Sequence, residues 1–287
     1  MEGYRIIKGK EPGPVVCIIA SLHGEEPAGM AAYAFLKKCF IDEGNELKFG
    51  EIRLIKGNIE ARKAGIRYFE YDLNRMFMED YHDSVDTDCY EYKRAQEIKK
   101  MVEGADYVLD LHSMTSEGEP FTIMADADKD YPEHMLNLPV SFTSSGWGNA
   151  LEGTLMDWVI PRGSEYIAVE SGLNGSKEAD DTARNVAIAL LNQLGMTDFP
   201  LEFERPKRHL KLMKREAIRD HDSYRYPTKT YASFDPLAPN ELIAVDTKGE
   251  YRAPDMENLV IIMPASQESV RNRHNNDAFF LGQFSAF

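Results

Sequence analysis

Val15-Val16-Cys17-Ile18-Ile19-Ala20, followed at once by Ser21-Leu22-His23-Gly24-Glu25-Glu26 and Pro27, decides how this chain is read. The apolar run is too short for a helix and lies between Pro14 and a polar turn, so it reads as a strand buried on both faces of a largely parallel sheet. Over residues 27–40 the apolar side chains return at helical spacing through Met30, Tyr33, Ala34, Leu36 and Phe40, and Pro27 suits a helix's first turn. The unit is strand, loop, helix, and the loop carries His23.

Working outward, the alternation recurs. Residues 51–55 read as a strand ending at Gly57-Asn58, residues 90–102 as a helix, and residues 107–111 as a strand ending at His112. Residues 121–125 and 166–169 read as further strands, and 179–194 as an amphipathic helix with Ala183, Val186, Ala187, Leu190 and Leu191 on one face. The fold class is therefore α/β, a mixed, largely parallel sheet with helices on both faces. From about Glu204 the texture shifts to short apolar runs at 231–234, 241–245 and 259–263, broken by Pro, Gly, Asp and Asn. That predicts a smaller β-rich C-terminal domain, with the boundary placed between 1–203 and 204–287.

Composition narrows the function classes. A chain of 287 residues, 43% hydrophobic and 28% charged, has the balance of a globular protein with one sizeable core and a smaller companion. Its net charge of −15 argues against nucleic acid and anionic membranes as partners. The N-terminal stretch mixes charges with Gly and Pro, and no apolar run approaches a membrane span, so the expected location is cytoplasmic. Cys17, Cys39 and Cys89 are widely spaced and unpaired in pattern, which suggests neither disulfides nor a thiolate metal site; Cys17 reads as a core residue.

In open α/β sheets, ligands bind outside the carboxyl ends of the strands. His23, Asn58, His112 and Glu170 are all expected just beyond such ends, converging on one edge. Two imidazoles and one carboxylate, His23, His112 and Glu26, make the ligand set of a catalytic zinc with an open position. Gly24, between His23 and Glu26, is expected to let the backbone turn sharply. Asp110 either orients the His112 imidazole or is a plain strand-end charge. Glu170 ends an apolar strand, where burial would raise its pKa toward that of a general base; alternatively it caps the following turn. Arg67, Asn74 and Arg75 cluster after the second strand, suited to an anionic substrate or to ordinary surface ion pairs. His82, His134, His209 and His221 read as solvated, as does a basic cluster of Arg271, Arg273 and His274.

Taken in order, His23-Gly-Glu-Glu26 with Pro27-Ala28-Gly29, Arg67-Tyr68, Asp72-Leu-Asn-Arg75, Asp110-Leu-His112 with Ser113-Met-Thr115, and Val169-Glu-Ser-Gly172 resemble the aspartoacylase and succinylglutamate desuccinylase family, within the zinc carboxypeptidase superfamily. The resemblance implies one zinc per chain on His23, Glu26 and His112, with Glu170 as general base and later proton donor. It implies that Arg67 polarises the scissile carbonyl and that Asn74 and Arg75 hold the carboxylate of a small anionic substrate. It further implies hydrolysis of an N-acyl amino acid amide, and a β-rich C-terminal domain, from Pro236-Leu-Ala-Pro239 onward, that shapes the entrance. Arg162 is the candidate for a further arginine reading a second carboxylate, while the family's C-terminal tyrosine has no assigned counterpart. Residues 154–158 resemble the stretch before the catalytic glutamate of carboxypeptidases, so a metallocarboxypeptidase stands as the alternative. A catalytically inert binding protein of the same fold is a third reading, opposed by the presence of every ligand together with Glu170. The ligand types favour zinc among first-row ions; a homo-oligomer is compatible with all three readings.

Overall fold

A computed structural model describes residues 2–78, 86–148, 150–271 and 276–286 of the chain. Its first seven strands are β1 (Tyr4–Lys8), β2 (Glu11–Ala20), β3 (Phe49–Lys56), β4 (Tyr107–Met114), β5 (Phe121–Ile123), β6 (Thr143–Ser145) and β7 (Glu165–Leu173). All but β6 form a six-stranded sheet in the order β1-β3-β2-β4-β7-β5. The four central strands run parallel, and β1 and β5 add antiparallel edges.

The uninterrupted apolar run of β2 follows from its place in this sheet. Val16, Ile18 and Ala20 face a core shared with Ala32 and Leu36 of helix α1 (Gly29–Lys37) and with Val186 and Leu190 of helix α3 (Lys177–Gln193). Cys17 and Ile19 face the opposite core, with Ala95, Ile98 and Val102 of helix α2 (Tyr90–Val102). Neither face meets water, so alternation disappears from the sequence. Burial pushes the Cys17 thiol up to about 12, as befits a core residue. Helix α1 is shorter than residues 27–40 and passes into a π turn at Lys38–Asp42. Its first residue, Gly29, permits close approach: a Cβ there would lie 2.9 Å from both Cβ and the carbonyl oxygen of Leu111 and 3.0 Å from Cα of Ala20. The helix thus rests directly on β2 and β4.

The C-terminal part is β-rich: β8 (Arg208–Ala217), β9 (Pro236–Leu237), β10 (Leu242–Asp246), β11 (Gly249–Arg252), β12 (Leu259–Ile262) and β13 (Asp277–Ala286). Its five-stranded sheet has the order β6-β8-β13-β12-β9, beside the hairpin β10-β11. One strand, β6, comes from well before residue 204. It is held to β8 by His209, whose ring nitrogens lie 2.8 Å from the Thr143 hydroxyl and 2.9 Å from the Ser145 hydroxyl. His209 is therefore half-buried rather than solvated, and burial followed by Lys211 lowers its pKa. His134 likewise has a partner, Glu165 at 2.8 Å, and packs against the Tyr107 ring. Leu210, Leu212, Val260, Ile262 and Phe280 of the second sheet share a core with Ile19 and α2, so the two sheets are packed as one body. Residues 231–234, expected as a strand, form a turn in which Phe234 has φ of 73°. No helix among the described residues is long and apolar enough to cross a membrane. His82, Arg273 and His274 lie outside the described residues.

Candidate active site

The loop after β2 is bent at Ser21, a non-glycine residue with φ of 58°, whose hydroxyl donates to the Glu26 carbonyl at 2.8 Å. Gly24 contributes close approach rather than a sharp turn. A Cβ at this position would meet Ala61 C at 2.3 Å and both Arg62 N and Ile66 O at 2.4 Å, and the Gly24 N–H donates to the Arg67 carbonyl at 3.0 Å. The loops carrying His23 and Arg67 are thereby stitched together. A second brace comes from Glu91 of α2, fully buried, whose carboxylate accepts from the Phe69 N–H at 2.9 Å and the Asn58 amide at 3.2 Å. Asn58 does not join the site. Its side chain caps the short helix Ile59–Ala64 by accepting from Ala61 N–H.

His23, Glu26 and His112 converge. Nδ1 of each imidazole lies 2.7 Å from a different oxygen of Glu26, and the rings are 5.0 Å apart at an interplanar angle of 51°. The outward Nε2 atoms meet carboxylates: His23 faces Asp72 at 3.0 Å, and His112 faces Asp110 at 3.0 Å. Asp110 and His112 are two apart on β4 and so share one face of the strand. Tyr166 of β7 donates to the same Asp110 oxygen at 2.8 Å. Burial and then Asp110 push the Tyr166 hydroxyl well above its ordinary pKa, which keeps it a donor. Burial opposes ionisation of Glu26, yet His23 and His112 hold its carboxyl far below the ordinary range. Burial also opposes protonation of His112, and Asp110 and Glu26 prevail over it; at His23, Glu26 and Asp72 prevail over burial and Arg67.

This donor set fits a divalent first-row ion. Two imidazole nitrogens and one carboxylate, all buried and with ligand atoms within 4.8 Å of one another, face a common point. Each imidazole has its distal nitrogen on a carboxylate, the arrangement that fixes a ligand's tautomer and ring orientation.

Glu170 was expected beyond the end of its strand, as was His112. Instead β4 continues to Met114 and β7 to Leu173, and His112 pairs directly with Glu170 in the parallel ladder. Both side chains consequently sit on one face and line the same cavity. Glu170 Oε2 is buried without a hydrogen-bond partner among the described residues. Burial, followed by the Glu26 charge, raises its pKa to about 7.

The cavity is also lined by Arg67, Asn74 and Arg75. Arg67 lies among carboxylates, 3.1 Å from Asp72, 3.4 Å from Glu26 and 3.8 Å from Glu25, with Nη2 3.0 Å from His23 Nε2. Asn74 Oδ1 accepts from Leu155 N–H at 3.0 Å, which directs its Nδ2 end as a donor. Arg75 donates to the Asn74 carbonyl at 2.8 Å and lies 3.7 Å from Asp277 of β13. Arg162 is not brought here; it is exposed, and its guanidinium stacks 3.2 Å from the Trp158 ring centroid. Sequence reasoning missed Asp72, Tyr166, Glu91 and Asp277. Asp72 sits within the quoted Asp72-Leu-Asn-Arg75 motif, whereas the other three carry no local signal.

A family model described as the succinylglutamate desuccinylase/aspartoacylase catalytic domain matches residues 12–142, the stretch that holds the two imidazoles, Glu26 and the arginine cluster. Residues 12–142 are thus similar to the catalytic domain of that family. Curated proteins are similar over the same part of the chain: a probable aspartoacylase of Nostoc sp. is 36% identical over 108 residues, 35% of this chain and 35% of that protein. The aspartoacylase of Xenopus tropicalis is 31% identical over 132 residues, 42% of this chain and 41% of that protein. The aligned stretch thus spans under half the length of either relative. A succinylglutamate desuccinylase structure from Vibrio cholerae superposes over 100% of this chain and 90% of its own, with a TM-score of 0.76 at 15% identity, so the fold continues beyond the matched stretch.

Proposed function

We propose that the protein is a metal-dependent deacylase, most simply zinc-dependent, that hydrolyses the amide bond of an N-acyl amino acid. One observation carries the reading: two imidazole Nδ1 atoms meet on Glu26 beside a buried carboxylate, Glu170, that has an unpartnered oxygen. His23, Glu26 and His112 would hold the ion, which supplies a Lewis acid and brings the pKa of water toward neutrality. Glu170 takes the proton of the attacking water as the new C–O bond forms. Arg67 donates to the carbonyl oxygen as its charge develops. Glu170 then returns the proton to the amide nitrogen, the C–N bond breaks, and a carboxylic acid and an amino acid leave. Arg75 and Asn74 Nδ2 hold the substrate's carboxylate, which orients the amide over the reacting groups.

Metal analysis and a substrate panel test the reading. Purified protein should hold about one divalent ion per chain, lose activity to a chelator, and recover it with zinc while cleaving N-acyl amino acids. Turnover of peptides alone would move the assignment to a metallocarboxypeptidase. Absence of both stoichiometric metal and turnover would leave an inert binding protein.

A further inference from the structure

Among the described residues the cavity is lined by two guanidiniums, Arg67 and Arg75, and four carboxylates, Glu25, Glu26, Glu170 and Asp277. Arg67 is already surrounded by Asp72, Glu26 and Glu25, which leaves Arg75 as the guanidinium best placed for a substrate carboxylate. Yet Arg75 is shared with an internal anion. Asp277, only 7% exposed, reaches in from the second sheet, accepts from Arg215 Nε at 2.6 Å and lies 3.7 Å from Arg75 Nη2. Part of the remaining wall is apolar, formed by Ile123, Trp147, Met156, Met263 and Phe280, and the rest carries hydroxyls such as those of Ser113, Thr115 and Ser266. One carboxylate can be met by Arg75 while an uncharged remainder lies against that wall. A second carboxylate would have to lose its water beside Asp277 and compete with it for Arg75 and Arg215, among the cavity's other carboxylates.

We propose that Asp277 is a specificity-determining residue, selecting N-acyl amino acids with one carboxylate and an apolar remainder over dicarboxylates. The inference rests on the deacylase reading for its substrate class. The test uses the zinc-loaded full chain and two probes, N-acetylmethionine and N-acetylaspartate, with kcat/KM and calorimetric affinity measured for each. The parent should favour N-acetylmethionine by about tenfold or more, the factor of one like-charge contact in a partly desolvated site. Asp277→Asn should narrow that preference by about tenfold, chiefly by lowering KM for N-acetylaspartate, whereas Asp277→Glu, which keeps the charge, should retain the parent's order. A parent that prefers N-acetylaspartate, an Asn variant within about twofold of the parent's ratio, or equal narrowing in the Asn and Glu variants would overturn the inference. Should neither amide be hydrolysed, the deacylase reading falls. The affinities then decide separately: a methionine preference that only the Asn variant loses supports Asp277 as the selector, and any other order refutes it.

Discussion

Replacing Glu170 by Gln isolates the proton-transfer role from everything else that residue does. The side chain keeps its volume, and the oxygen it exchanges for NH2 or retains is already buried without a partner. The amide therefore forfeits no hydrogen bond at Oε2. What disappears is a proton acceptor lifted to about 7 by burial and by Glu26, close to the ideal for a base working near neutrality. A positioned general base contributes about 10²–10⁴ in rate, equivalent to roughly 2.7–5.5 kcal/mol at 1.36 kcal/mol per decade. The loss should fall on kcat, with KM within about threefold of the parent, because Arg75 and Asn74 rather than Glu170 are assigned to binding. Steady-state kinetics on whichever N-acyl amino acid the panel selects, with metal content measured on the same samples, supply both numbers. The metal-free variant should unfold at the parent's temperature or above it at pH 8, since a neutral amide replaces a carboxylate whose charge burial disfavours. A variant with kcat within tenfold of the parent at full metal occupancy would refute Glu170 as the base. A variant that loses its metal would instead move Glu170 from the proton to the ligand set.

Gly24→Ala forces a methyl against three backbone atoms at 2.3–2.4 Å, so it should cost about 1–3 kcal/mol or more and lower Tm by several degrees; an unchanged Tm would show that the loop shifts freely. Tyr166→Phe removes the hydroxyl on Asp110 and should weaken metal binding about 10–100-fold in chelator competition, while equal affinity would show that Asp110 holds His112 unaided. His209 titrates below its ordinary 6.5 in the fold, so the unfolded chain binds the proton more readily and stability rises with pH. The contribution should be complete above about pH 6.5 and fade as pH falls through the lower folded value; thermal melts of His209→Gln should lose that part of the pH slope, and an unchanged slope would contradict the assignment.

The strands and helices that could be read were those whose burial is one-sided or complete over a continuous stretch. Helix α2 is found at the residues its periodicity marks, and β2 extends the apolar run that announces it. β8 escaped notice because Leu210 and Leu212 alternate with His, Lys and Arg in a strand that is partly exposed, and β13 follows a polar segment that hides its start. Strand ends were misjudged at β4 and β7 because His112 and Glu170 are polar yet lie inside buried strands facing a cavity. Polarity was read as termination. The convergence of His23, Glu26 and His112 was legible because their motifs lie near the carboxyl ends of two neighbouring parallel strands, β2 and β4. Asp277 was not, since its nearness to Arg75 depends on how the second sheet docks, a long-range fact with no signature in neighbouring residues.

The lateral pairing of His112 with Glu170 sets these two side chains one strand apart, a spacing of about 4.8 Å dictated by peptide hydrogen bonds. His112 and Glu170 thus sit on adjacent central strands, whereas Arg75 and Asp277 come from a short turn and from the second sheet. Such a division leaves the periphery open to revision: a lineage or an engineer can retune what enters by altering the rim, and the reacting groups will keep their separation.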